Sequence, residues 1–438
     1  MKNFFVSLTF LLHLAANGQS FNKAKLDVFF NALEQHNKFM GSVAVAKDGK
    51  IIYVKTIGFA DVENKIRADE RTKYRIGSIS KTFTAVLILK AWEEQKLNLD
   101  QPIDKWFTRF PNGNKITIRH LLYHRSGIGN FTNAKQYTSY YTSPQSKDQM
   151  ISHIINSGIE FEPGSKTQYS NSNYVLLTYI LEDVYGKSYA ELVREYITLP
   201  AGLQNTYVFD RIDVEENECK SYHYKGSWVE APQTHFSVAL GAGGLVSTSI
   251  DLVQFAGALF NGKLLSDESL AEMKTLKNGY GMGIFPIPFY YHIGFGHTGG
   301  IDGFNAVFAY FPGSKVSYAL VSNGANYNTN DISIAVLSAV FDKPYEIPEF
   351  SSYKLSSEDL DVYLGVYASE QIDLKITVTK NAHTLIVQGS GQSAFAIEPV
   401  AKDTFKSDMV KATFHFDPSN KTLTLIQGGK KMIFTKEE

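Results

Sequence analysis

Apolar positions along the chain keep two different periods. Residues 41–60 read GSVAVAKDGKIIYVKTIGFA, two β-rich runs around Asp48-Gly49, and this turn chemistry predicts a hairpin. From Lys81 to Gln95 the period changes: Phe83, Val86, Leu87 and Ala91 recur at helical spacing, which predicts an amphipathic helix. A second helix is predicted over 173–186, NYVLLTYILEDVYG, closed by a glycine. Strand signals return at 304–324, where two β-rich runs flank Pro312-Gly313-Ser314, and 331–342 predicts a closing helix. A hairpin early, a hairpin late and helices between them predict an α+β fold. In it an antiparallel sheet is flanked by helices and joined to a mostly helical subdomain.

The pattern shifts after Phe341. DKPYEIPEFSSYKLSSEDLD is rich in proline, serine and charge and predicts a linker, placed at 346–355. Beyond it DLKITVTK, TLIVQG, ATFHFDPSNKTLTLIQ and KMIFTK alternate apolar with polar residues, with turn chemistry at Asp417-Pro418-Ser419-Asn420. Residues 356–438 therefore read as a small C-terminal antiparallel β-domain, and 19–345 as the main one. At the other end, MKNFFVSLTFLLHLAANGQS has Lys2, an apolar run from Phe4 to Leu14 and then small residues. It reads as an export signal over 1–18, cleaved after Gly18. The mature protein is expected outside the cytoplasm, with no stable membrane span.

A length of 438 residues favours more than one domain, and 44% hydrophobic residues supply their cores. A formal charge of -1 offers no clustered positive field, so nucleic acid is not an expected partner. Cys219 is the only cysteine, which excludes an internal disulfide. Its setting, EENECKSY, reads as a surface loop; His223 is four residues on, but nothing else around Cys219 suggests a nucleophile site.

Candidate chemistry starts at RIGSISKTFTAV, residues 75–86. Ser-x-x-Lys occurs three times, at Ser20/Lys23, Ser78/Lys81 and Ser351/Lys354, so the spacing alone decides nothing. Only Ser78 opens a predicted helix, where i and i+3 share a face and free N–H groups favour a developing oxyanion. A serine needs a base to attack an acyl carbon, and a desolvated lysine can serve. An ordinary helix cap is an equal reading of Ser78.

Tyr169-Ser170-Asn171 stands before the second helix. The phenol can relay a proton and the amide can hold a lysine or a substrate, while a capping turn is the plainer reading. GFGHTGGIDGF, 294–304, formally matches a dinucleotide fingerprint, but a strand-like run rather than a helix follows it. Its glycines instead offer a strand edge for a substrate backbone, with N–H groups near Gly300 as oxyanion donors. No Gly-x-Ser-x-Gly elbow is present, and His120 and His124 lack the glutamate of a zinc-protease motif, so they read as structural.

Ser78-x-x-Lys81, Tyr169-x-Asn171 and His297-Thr298-Gly299, in that order, resemble the serine β-lactamase and penicillin-binding protein superfamily. The branch is the one holding class C β-lactamases, D-alanyl-D-alanine carboxypeptidases, D-aminopeptidases and related esterases. LLYHRSGI, FEPGSKTQYSNSNYVLL, GAGGLVSTSIDLVQF and GYGMGI support the resemblance, which covers about 25–345. It implies a β-lactamase/transpeptidase-like fold, no metal or organic cofactor, and a small-molecule or peptide substrate. The tail resembles the lipocalin-like domain of some members.

By this resemblance Ser78 is the acylated nucleophile and Lys81 assists its deprotonation. Tyr169 shuttles protons, and Asn171 orients Lys81 and the substrate. The amides of Ser78 and Gly300 form an oxyanion hole, while His297, Thr298 and Gly299 bind substrate. Class C β-lactamases usually carry lysine where this chain has His297, and an imidazole with a pKa near 6.5 holds a carboxylate less well. The expected activity is thus an exported serine hydrolase acting on D-amino-acid peptides, β-lactams or small esters. The competing expectation is a sensor that is acylated but turns over poorly.

Overall fold

The computed structural model describes residues 21–437, so the expected signal at 1–18 lies outside the described residues. Six antiparallel strands form the central sheet: β1 Phe39–Lys47, β2 Lys50–Ile57, β3 Phe285–Phe289, β4 His292–Ile301, β5 Phe304–Phe311 and β6 Val316–Ala325. Their order is β3-β4-β5-β6-β1-β2. Early and late segments of the first domain thus meet in the middle of the sheet, where β1 pairs with β6. Both predicted hairpins are present. In the first, Asp48 (φ 50°) and Gly49 (φ 75°) take the left-handed conformations that a tight turn demands.

Each face of the sheet is covered. On one, helix α1 (Lys23–Gln35) packs with the closing helix, whose Ile332, Val336 and Leu337 meet Val45, Tyr318 and Leu320 of the sheet. The opposite face carries Ala44, Ala306, Phe308 and Val321, which pack against Leu252, Phe255 and Leu259 of the Ser249–Phe260 helix and merge into the core of the helical subdomain. There, α2 (Ser80–Glu93) packs against α3 (Asn171–Tyr185), which ends on left-handed Gly186 (φ 62°).

Two expectations need correction. Helix α2 is not amphipathic: every residue from Ser80 to Leu89 is buried, because other elements surround it and leave no face to solvent. Nor does Cys219 lie on a surface loop. It is 1% exposed, its thiol donates to the Lys73 carbonyl at 3.2 Å, and burial pushes its pKa well up, so it is an inert core thiol.

Residues beyond Asp342 run without regular structure to about 356, with Tyr345 and Phe350 packed on the first domain. Then eight strands between Gly365 and Lys436 close into an antiparallel barrel in simple chain order, around its own core that includes Ile376, Leu385, Phe405, Phe414 and Phe434. Strand-to-strand order of this kind is that of an up-and-down barrel.

Candidate active site

Ser78 lies in a single 3-10 turn, Gly77–Ile79, that feeds directly into α2. Its side chain caps nothing, and neither does Asn171 at the start of α3. The capping alternative therefore fails at both positions. The turn faces β4 at a distance only glycine permits. A Cβ on Gly299 would sit 1.9 Å from the Ile76 carbonyl oxygen, and one on Gly77 (φ 49°) would sit 2.8 Å from the Gly300 nitrogen. This contact brings Ser78 and Gly300 together at the mouth of one cavity.

Lys81 is fully buried, one helical turn beyond Ser78, and its Nζ lies 3.0 Å from Ser78 Oγ. The same nitrogen donates to Asn171 Oδ1 at 2.8 Å and to the Ala242 carbonyl at 2.6 Å. Desolvation holds its pKa well below the ordinary lysine value. A neutral amine has two N–H donors and one lone pair. With Asn171 and Ala242 taking the donors, the lone pair is left for the Ser78 hydroxyl.

Tyr169 caps the same pocket. Its ring lies 4.9 Å from Lys81 Nζ, and it lines the Ser78 cavity. Burial raises its pKa. Fully buried His124 packs against the Tyr169 ring at 4.4 Å and accepts the Ser170 amide at Nδ1, which fixes the tyrosine's approach. His120 shares a capping box with Thr117, so both histidines are structural here.

His297, 4% exposed, is held differently from a residue that reaches out to bind a charged substrate. Its Nδ1 donates to the Thr298 carbonyl, which places the proton on Nδ1. Burial, with Lys81 nearby, lowers its pKa to about 3. The ring is neutral and packs 4.9 Å from Phe285. Thr298 and Gly300 are exposed on the β4 edge beside Ser78. The structure thus gathers Ser78, Lys81, Tyr169, Asn171, His297, Thr298, Gly299 and Gly300 into one cleft.

Several supports escape a reading of the sequence. Ala242 contributes only a backbone carbonyl, at the end of a segment strained at Leu240 (φ 37°, ψ -141°). Asn171 is itself held by Asn130 and Thr132, which accept from its backbone and side-chain amides. Arg75, just ahead of the nucleophile, pairs at 3.1 Å with Asp302, just beyond Gly300, both side chains at most 2% exposed. Asp302 also accepts from the amide and hydroxyl of Thr234. Arg75 was in the quoted nucleophile stretch, but nothing local announces a partner 227 residues away.

Nucleophile, buried amine, phenol and paired amide donors form a constellation for acyl transfer. The sequence pattern of the beta-lactamase family matches residues 27–341. A penicillin-binding protein of Bacillus subtilis is 27% identical over 418 residues, 88% of this chain and 91% of its own. The teichoic acid D-alanine hydrolase of Staphylococcus aureus is 30% identical over 53% of this chain and 57% of its own. Among solved structures, the octameric penicillin-binding protein homologue from Pyrococcus abyssi superposes with a TM-score of 0.66 at 25% identity, covering 94% of this chain and all of the other. D-amino acid amidase from Ochrobactrum anthropi superposes at 0.63 with 25% identity, over 72% of this chain and 98% of its own. The chain belongs to the beta-lactamase family and is a serine hydrolase.

Proposed function

We propose that the chain is an exported hydrolase that forms an acyl-enzyme on Ser78 with D-amino-acid peptides, amides or esters, and with β-lactams. One observation carries the proposal: the Lys81 amine spends its donors on Asn171 and Ala242 and turns its remaining valence to Ser78. In the first step Lys81 takes the Ser78 proton as Oγ attacks the acyl carbon. The Ser78 and Gly300 amides hold the resulting oxyanion, and Tyr169 hands a proton to the departing group. Water, activated through the same phenol, then releases the acid and restores the serine. His297, Thr298 and Gly299 line the binding edge, with His297 serving as a neutral wall. D-amino-acid substrates are supported by the relatives that carry D-alanine hydrolase and D-amino acid amidase names.

The test is turnover of matched D- and L-alanine amides and methyl esters by the wild type and by Ser78→Ala. Selective hydrolysis of the D-forms, lost in the variant, supports the reading; equal rates in both proteins overturn it. The raised pKa of Tyr169 favours a second reading for β-lactams alone. If water activation is slow, a penicilloyl adduct accumulates, and its lifetime on the protein separates sensor from hydrolase. Amino-terminal sequencing of the secreted protein tests export, with Gln19 expected as the first residue.

A further inference from the structure

Two cavities meet at the exposed edge of β4. The first, about 670 Å³, opens at Ser78 and is walled by Tyr169, Tyr280 and Phe285. The second, about 620 Å³, lies on the sheet face that the closing helix leaves bare, against Val307, Leu320, Ile334 and Leu337. Phe285, Pro286, Pro288 and the edge residues Thr298 to Gly300 border both, so together they make one trough leading away from the nucleophile. Among the described residues, no Lys, Arg, Asp or Glu side chain lines either part. The imidazole at its border, His297, is buried and has Nδ1 committed to Thr298. Ile334 is 42% exposed at the trough, an apolar side chain left facing water.

The other side of Ser78 has a different character. There a cavity of about 340 Å³ presents Thr132, Asn171, Tyr137, Tyr141, Thr234 and Asp302, groups that suit the amino and carbonyl functions of an acyl donor. The polar groups at the trough, among them Asn305, Thr329, Asn330 and Ser333, are all neutral, so a free carboxylate placed there would give up hydration without gaining a counter-charge, whereas an alkyl or aryl group would gain by leaving water.

We propose that this trough is the leaving-group site, and that it takes the uncharged, apolar alcohol or amine half of an ester or amide rather than an amino acid with a free carboxylate. This rests on the Ser78 acyl-enzyme reading above. For an ester, Lys81 takes the Ser78 proton as the Oγ–carbon bond forms, the carbon–alkoxy bond breaks, and the leaving oxygen takes a proton from Tyr169 and departs along the trough as the alcohol.

The experiment uses the full chain and the methyl, butyl and octyl esters of D-alanine, with D-alanyl-D-alanine as the charged comparison. In the wild type, kcat/KM is expected to rise about tenfold or more from methyl to octyl ester, and to be lowest for the dipeptide. Ile334→Asp, a change at an exposed position, is expected to flatten the series by costing the octyl ester severalfold more than the methyl ester. A flat series in the wild type, or an equal loss on every ester in the variant, overturns the trough. Calorimetric binding of the methyl and octyl esters to Ser78→Ala reads the trough without chemistry. Tighter octyl binding that Ile334→Asp abolishes sustains it even if no ester is turned over, a result that would instead sink the acyl-enzyme reading. Equal affinity for the two esters overturns it.

Discussion

At the scale of single residues, function turns on how burial sets the charge of two bases. Lys81 acts as an amine only with its proton off, and desolvation lowers the pH at which this happens. Acylation is therefore expected to persist to lower pH than an ordinary lysine would allow and to fall as acid protonates the amine, a limb that Lys81→Met should remove along with at least 99% of the rate. Stopped-flow acylation across pH checks this. His297 titrates near 3 in the fold and near 6.5 when unfolded. Above 6.5 it is neutral in both states and neutral to stability. As pH falls from 6.5 towards 3 only the unfolded chain binds the proton, so stability declines, by up to roughly 5 kcal/mol at the lower end. Urea midpoints at pH 7 and pH 4.5 should converge in His297→Gln relative to the wild type. The letters Ser78, Lys81 and Tyr169 were legible because the chemistry resides in their side chains. The Ala242 carbonyl was not, since a backbone acceptor leaves no mark in a sequence, and the neutrality of His297 depends on packing that no local pattern reports.

Among the elements, the decisive contact is that of the nucleophile turn with β4. Gly299→Ala would drive a Cβ into the Ile76 carbonyl, 1.9 Å away, and so part the Ser78 and Gly300 amides. Loss of one oxyanion donor is worth about 3 kcal/mol, or 10²–10³ in rate. We expect kcat to fall by at least that factor with a modest change in melting temperature, measured by ester hydrolysis and calorimetry. Arg75 and Asp302 tie the same two elements together from behind. Asp302→Ala leaves a buried guanidinium with its charge uncompensated, and a loss of about 3–5 kcal/mol in denaturant unfolding is expected. The hairpins and α3 were readable from period and turn chemistry. Strand β3, FPIPF, was not, because its two prolines argue against a strand and are tolerated only at the sheet edge it occupies. Helix α2 was readable as a helix, but its burial on all sides was not.

Over the whole molecule, the barrel is fastened to the hydrolase domain by polar contacts. Lys38, 2% exposed at the start of β1, reaches Glu398 at 2.6 Å and Asp408 at 2.8 Å on the barrel, and Asn326 also donates to Glu398. Nearer the cleft, the Asn381 side chain donates to the Lys225 carbonyl, in the hairpin that brings His223 to the Ser78 cavity. Lys38→Ala removes the one buried cation that joins Glu398 and Asp408 to the first domain and leaves Asp408 only Lys406 of the barrel itself, at 3.5 Å. Limited proteolysis is expected to cut the 343–356 segment faster in that variant, while Ser78 acylation persists. The alternating pattern made the barrel legible, but which surface it rests on is written in pairs hundreds of residues apart. The central claim is likewise one of assembly: distant segments close on a single serine. Intact-protein mass spectrometry after mixing with an activated D-alanine ester tests it most directly. The account predicts one transient D-alanyl adduct that maps to Ser78 and is lost in Ser78→Ala. An adduct of equal yield in the variant, or one mapping to another residue, would contradict it.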